Sequence, residues 1–314
     1  MPPKVSVVIP TYNRSALLEK SVRSVLDQTY KNYEILVIDN SSQDNTAQML
    51  ASLNDERIKS YQINNRGIIA RSRNLGLQKA LGAYIAFLDD DDLWEKDKLE
   101  KQVAYMKSHP HCGLVYTSIQ VIDENNKRGE LIRNTRKTKE GKVFRELIKG
   151  NFISQLTVLM RREVLDSVGY LDEDASIKSL EDYEYWLRIS LKHVVGYIDE
   201  PLGLYRVHSS GVSKNHNSYR INQFVLERLL KDPDTENKDV IKERIYSLYA
   251  KSAVYNWKTS NRKESKEDLK KYLAWNLKRR SIMNLAKGAS LYVILMSGLW
   301  RIILVHPKHF RRVF

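Results

Sequence analysis

Cys112 is the only cysteine in the chain, which rules out an internal disulfide and a cysteine-based zinc site and fits a reducing compartment. The amino terminus lacks the apolar segment of a signal peptide. Met1-Pro2-Pro3-Lys4 runs straight into Val5-Ser6-Val7-Val8-Ile9, so secretion is not expected and a cytoplasmic location is. Long hydrophobic runs are equally scarce. The longest, residues 289–305, barely reaches the roughly 17 residues that span a bilayer, and Arg301 interrupts it. Nucleic acid is not an expected partner, because the basic residues carry no recognition signature and no interleaved exposed aromatics in the motif region.

What the chain has is enough apolar sequence for a substantial core: 314 residues with 42% hydrophobic content, room for one large α/β domain with an appendage or for two domains. Its formal charge of +14 is unevenly placed, since residues 215–314 hold 21 Lys/Arg against 9 Asp/Glu, a net of +12. A basic tail of this kind attracts polyanions. Lys278, Arg279, Arg280 and Lys287 precede the 289–305 stretch, and Lys308, Arg311 and Arg312 follow it. Two readings stand side by side: an interfacial helix on an anionic membrane surface, or a buried helix packed on the rest of the protein.

Short apolar runs alternate with amphipathic stretches over residues 4–115, the pattern of βαβ units and a mainly parallel sheet. Strands are expected at 5–10, 34–39, 58–63 and 84–88, with helices at 15–27, 44–53 and 69–80 between them and Asn13 or Ser15 capping the first. Residues 99–107 read as a helix, 113–122 as an edge strand, 123–129 as a polar turn, 142–149 as a short helix, 155–160 as a strand and 162–168 as a helix. A helix from Asp182 and a strand at 194–198 follow, and beyond about residue 215 the pattern is helical only.

Four consecutive aspartates, Asp89 to Asp92, follow the apolar run Ala83–Leu88. Like charges packed at the end of a buried strand are costly unless a cation offsets them. Spaced carboxylates at Asp89 and Asp91 could hold a hard divalent ion that takes diphosphate oxygens to complete its shell; a solvated acidic turn is the plainer reading. Asp39 also ends a strand, where open α/β sheets bind ligands. Arg71 and Arg73 lie near a helix start, a placement that suits phosphate, although exposed helix arginines would look the same.

Taken in order, Pro10-Thr11-Tyr12-Asn13, the Asp39 turn, Asn65-Arg66-Gly67 leading to Arg71-Ser72-Arg73-Asn74, and Leu88-Asp89-Asp90-Asp91-Asp92 resemble the motif series of the family 2 glycosyltransferases, which have the GT-A fold. Leu180-Glu181-Asp182 and Tyr205-Arg206-Val207-His208 extend the resemblance to about residue 213. Three departures stand out. Asn40 occupies the place of a second aspartate, Ser41 that of a common glycine and Ser72 that of alanine, while Arg71 and Arg73 compete for one role.

The resemblance implies a Rossmann-like catalytic domain over 1–215, with 1–115 binding a nucleotide sugar and 116–215 bearing the acceptor side and catalytic base, followed by a helical region at 216–314. It implies an inverting transfer from a nucleoside diphosphate sugar, UDP favoured, to the hydroxyl of a saccharide or lipid-linked saccharide, in surface polysaccharide or glycolipid synthesis. Nucleotidyl transfer and a non-catalytic binding role are the rivals. Asp182 would be the base. Asp39, Thr11 and Tyr12 would hold the base, Pro10 and Arg14 would also contact the donor, and Arg71 or Arg73 with Arg206 and His208 would hold its phosphates. Asp91 and His208 would hold Mn²⁺ or Mg²⁺, Asp89 would face the ribose or the metal, Asp92 would face the sugar, and Asp90 would be merely solvated.

Overall fold

A computed structural model describes residues 4–134, 139–207, 218–231, 235 and 237–278. The chain divides into two compact units, Met1–Lys214 and Asn215–Phe314.

The first unit begins with three strand–helix pairs. β1 (Val5–Thr11) leads to α1 (Ser15–Leu26), β2 (Tyr33–Asp39) to α2 (Thr46–Ser52), and β3 (Ile58–Gln62) to α3 (Ile69–Lys79). β1 and β2 are buried at every position, as strands covered on both faces must be, and this explains their unbroken apolar runs. α1 turns Leu18, Val22 and Val25 into the core, the stripe expected of a 3.6-residue period. Neither Asn13 nor Ser15 caps it. The N-cap is Arg14, and the Ser15 amide donates to Asp44 Oδ2 (3.0 Å), whose Oδ1 also accepts from the Thr46 amide (3.1 Å). One carboxylate from the β2–α2 loop thus satisfies the open ends of two helices.

β4 (Tyr84–Phe87) is followed by β5 (Leu93–Trp94), α4 (Lys98–Ser108), β6 (Cys112–Ile122), β7 (Arg128–Ile132) and α5 (Phe144–Ile148). β8 (Leu159–Arg161), α6 (Val164–Val168), α7 (Glu181–Lys192) and β9 (Val194–Arg206) complete the unit. Among the described residues these strands form a nine-stranded sheet in the order β3-β2-β1-β4-β8-β6-β9-β5, with β7 hung on β6. Pairing is parallel from β3 to β4 and antiparallel from β4 to β8 and β8 to β6. The sheet is therefore mixed beyond β4, where the βαβ rhythm of the sequence fades.

Several expected elements are corrected. β6 is interior, flanked by β8 and β9, because residues 194–206 form one long strand beside it. The run 155–160 splits into a 3₁₀ turn (Gln155–Thr157) and β8, since Thr157 folds its hydroxyl back to the Ser154 carbonyl (2.6 Å). β5 and β7, too short or too exposed to show periodicity, were not foreseen.

α3 lies close on β1 at Gly76, where a Cβ would come within 2.3 Å of Val8 Cγ1. Gly76→Ala is therefore expected to destabilise the protein by about 1–3 kcal/mol through overpacking. Urea unfolding checks this, and an unchanged midpoint would mean that the helix rides farther from the sheet.

The second unit contains α8 (Ser218–Lys231), α9 (Lys238–Lys258) and α10 (Arg262–Lys278). Ala250, Ala253, Trp257 and Leu269 form a small core, beside which the buried Asp268 Oδ2 accepts from Ser252 Oγ (2.7 Å) and Asn256 Nδ2 (3.0 Å). Among the described residues no helix is long and apolar enough to cross a membrane. The 289–305 stretch and its basic flanks from Arg279 onward lie outside them.

Candidate active site

An open cleft of about 450 Å³ lies in the first unit at the carboxyl ends of β1 and β4. Pro10, Thr11, Tyr12 and Arg14 line it from β1 and the turn after it, and Asp89 to Asp92 from the segment after β4. Asn40, Asn65, Gly67 and Ser72 form another side. This is the position at which open α/β sheets take ligands.

The amide side chains explain how the wall beyond β2 is held. Asn40 Oδ1 accepts the Asn65 amide (2.7 Å), Asn65 Oδ1 accepts the Gly67 amide (2.8 Å), and Asn65 Nδ2 donates to Ser72 Oγ (2.9 Å). Asn40 and Ser72, two of the departures from the family pattern, are thus both used to fix one turn. Ser41 has φ of +58°, the left-handed conformation that glycine adopts without cost, which accounts for the glycine common there. Asp39 ends β2 buried, its Oδ1 accepting the Ser42 amide (3.0 Å).

The four aspartates do four different things. Asp89 stays one-third exposed and pairs with Arg73 Nη2 (2.8 Å). Asp91, one-fifth exposed, pairs with Arg14 Nη1 (2.8 Å). Asp90 is not solvated as expected: it is buried, accepting from Thr11 Oγ1 (2.8 Å) and Arg14 Nη1 (3.1 Å). Burial pushes its carboxyl up to about 6, against the pull of Arg14. Asp92 is likewise turned inward, with its Oδ1 accepting the Arg206 amide (2.8 Å) and its carbonyl accepting Ser21 Oγ (2.7 Å). It anchors the run to β9 and α1 while also lining the cleft, and burial with repulsion from Asp89 and Asp91 raises it well above the usual carboxylate range.

The arginines are also placed differently from expectation. Arg71 is directed outward to Glu173 Oε2 (3.3 Å). Arg73 is buried between Asp89 and Glu181 Oε1 (2.7 Å), so its charge is already matched by carboxylates and neither arginine lines the cleft. Arg206 lines it, but its Nε donates to the Asp91 carbonyl (2.7 Å) and its Nη1 to the Asp123 carbonyl (2.8 Å). Among the described residues its buried Nη2 has no partner. Arg206 thus braces the backbone of the aspartate run.

Glu181 and Asp182 open α7. Glu181 lines the cleft, and the buried Arg73 ties it to Asp89. Asp182 Oδ1 accepts the Tyr183 amide (2.6 Å) and Oδ2 accepts Asn151 Nδ2 (3.4 Å). Burial, reinforced by Glu181 and opposed by Arg73, pushes the Asp182 carboxyl up to about 7. A carboxyl poised there can exchange a proton near neutrality. Lys178 and Ser179, just before α7, also line the cleft and were missed, because an exposed lysine in an unpatterned segment carries no signal in a sequence.

A divalent ion finds a suitable donor set in Asp89 and Asp91, whose hard oxygens reach the cleft. Among the described residues no three His, Cys, Asp or Glu side chains gather as a metal site, so ligand oxygens would have to complete the shell. His208 lies outside the described residues.

Residues 6–169 match the family described as Glycosyl transferase family 2, more than half of the chain. The chain belongs to that family. Among its relatives in the glycosyltransferase family is "UDP-Glc:alpha-D-GlcNAc-diphosphoundecaprenol beta-1,3-glucosyltransferase WfgD" of Escherichia coli, 32% identical over 213 residues, 67% of this chain and 80% of that one. "Uncharacterized glycosyltransferase RC0461" of Rickettsia conorii is 37% identical over 205 residues, and the chain spans only 33% of its length. The GT-A fold is shared with solved structures. Staphylococcus aureus TarS 1-349 in complex with UDP-GlcNAc has a TM-score of 0.68 at 18% identity, covering 92% of this chain and 91% of that one. The mannosyltransferase PcManGT of Pyrobaculum calidifontis, in complex with GDP-Man and Mn²⁺, has a TM-score of 0.59 at 19% identity, covering 96% and 83%.

Proposed function

We propose that this glycosyltransferase moves a sugar from a UDP-sugar to a hydroxyl of a lipid-linked saccharide, with inversion at the anomeric carbon. The observation that carries this reading is the Arg73 bridge between Asp89 and Glu181. It holds the carboxylate run after β4 and the first turn of α7 on one cleft, so that a donor bound at the former lies beside a proton acceptor on the latter.

In a single displacement the acceptor oxygen bonds to the anomeric carbon as the carbon–oxygen bond to the diphosphate breaks. UDP leaves with the electron pair, and Asp182 takes the hydroxyl proton. The nucleoside would lie against Tyr12, which lines the cleft and is 54% exposed, with its base reaching toward Asp39, buried at the end of β2. Lys178 has no carboxylate partner among the described residues and would meet the diphosphate together with Arg206 Nη2. Mn²⁺ or Mg²⁺ held by Asp89 and Asp91 would supply charge neutralisation on the leaving diphosphate. The name of WfgD supports both the UDP donor and the diphosphate-linked lipid acceptor.

Screening UDP-, dTDP- and GDP-sugars for nucleotide release tests the donor class, and selective turnover of a GDP-sugar would exclude the UDP reading. Asp91→Ala is expected to abolish the Mn²⁺-dependent part of UDP affinity measured by calorimetry. Equal affinities with and without Mn²⁺ in the parent protein would rule out the metal.

A further inference from the structure

The two oxygens of the Asp182 carboxylate have different surroundings. Oδ1 is held by the amide of the next residue, Tyr183 (2.6 Å). Among the described residues, the one side chain that donates to Oδ2 is Asn151, through Nδ2 at 3.4 Å. The orientation of that amide is fixed. Its own Oδ1 accepts the Ile153 amide (3.1 Å), closing an Asx turn that leaves the NH₂ group directed at Asp182.

The loop carrying Asn151 is anchored on both sides. Gly150 turns the chain with φ of +152°, the Phe152 ring stands 5.8 Å from that of Tyr116, and Ile153 is buried. A second tie runs parallel to the first, because Tyr183 Oη donates to the Leu147 carbonyl at the end of α5 (2.8 Å). Asp182 and Tyr183 are thus cross-linked to the 147–151 segment at two points.

We propose that Asn151 is a positioning residue for the general base: its clamped amide holds Asp182 Oδ2 and aims it at an acceptor hydroxyl entering beside the 150–154 loop. The inference rests on the reading of Asp182 as the base. A 3.4 Å contact is long, and catalytic hydrogen bonds of this kind tighten when substrate is bound. The charged groups that face Asp182 come from three other places: Glu181 on α7 and Asp89 after β4 raise its proton affinity, and Arg73 on α3 lowers it. Asn151 adds a neutral donor from a fourth direction, favouring the charged carboxylate.

The test is the pH profile of kcat at saturating UDP-sugar for the parent, Asn151→Ala and Asn151→Asp, with UDP affinity measured by calorimetry on each. Asn151 is exposed, so both variants should fold. In Asn151→Ala kcat should fall about 10-fold, the effect of losing one hydrogen bond to a charged group. The acid limb should move to higher pH in Asn151→Ala and farther in Asn151→Asp, since a lost donor and then an added charge each favour the protonated base. UDP affinity should stay within twofold. Coincident acid limbs in all three proteins, or a loss of UDP affinity in step with kcat, would overturn the positioning role while leaving the base assignment standing. Parental kcat in Asp182→Asn would overturn both.

Discussion

Asp182→Asn is expected to lower transfer by about 10²- to 10⁴-fold, the usual worth of a general base, and to leave UDP affinity unchanged. The two effects separate because Asp182 is not among the residues lining the cleft, whereas its neighbour Glu181 is. The amide oxygen can still accept the Tyr183 N–H that Oδ1 now takes, so the start of α7 should hold. It cannot take a proton from an attacking hydroxyl. In the parent, kcat should rise with pH and level off above about 7, where the carboxyl raised by burial and by Glu181 becomes deprotonated. Steady-state rates with calorimetry on the same preparations check both parts. A variant that loses UDP binding along with turnover would assign Asp182 to the donor and not to the base.

Arg73→Met is expected to cost about 3–5 kcal/mol, because it strands carboxylates that the guanidinium now neutralises. Arg73 is buried, Glu181 nearly so, and the two contacts measure 2.8 and 2.7 Å. Methionine fills similar space, so the cost reflects charge and not a cavity. Pairing the change with Glu181→Gln should recover part of the loss, since one of the two stranded charges is then gone. Urea unfolding followed by tryptophan fluorescence reads both. A loss below about 1 kcal/mol would mean that the bridge is dispensable and that donor and base sides are held together by other contacts, such as Asn74 with the Leu171 backbone (2.9 and 3.0 Å).

Much of this site could be read from the chain because it lies where strands end. β1, β2 and β4 carry both-face apolar runs that stop at Thr11, Asp39 and the aspartates, and such boundaries are sharp in a sequence. What could not be read is which way a side chain turns after the strand stops. Asp90 and Asp92 look equivalent to Asp89 and Asp91 as letters, yet partners up to 114 positions away, Thr11 and Arg206, draw them inward. Arg73 carries the composition of a phosphate ligand, and only the return of α7 108 positions later shows that its charge is already matched. The mixed half of the sheet is harder still to read. β8 has three residues and β5 two, lengths at which a period of two leaves no trace. Asn151 and Lys178 sit in loops, where function is frequent and pattern absent.

The stereochemistry of transfer bears most directly on a base acting in a single displacement. If the donor screen identifies an α-linked UDP-sugar, the anomeric proton of the isolated product can be followed by NMR. A β-linked product is expected, formed by attack opposite the departing diphosphate with Asp182 taking the proton. An α-linked product would contradict the account, because retention needs a second displacement or a front-side path in which Asp182 has no such role.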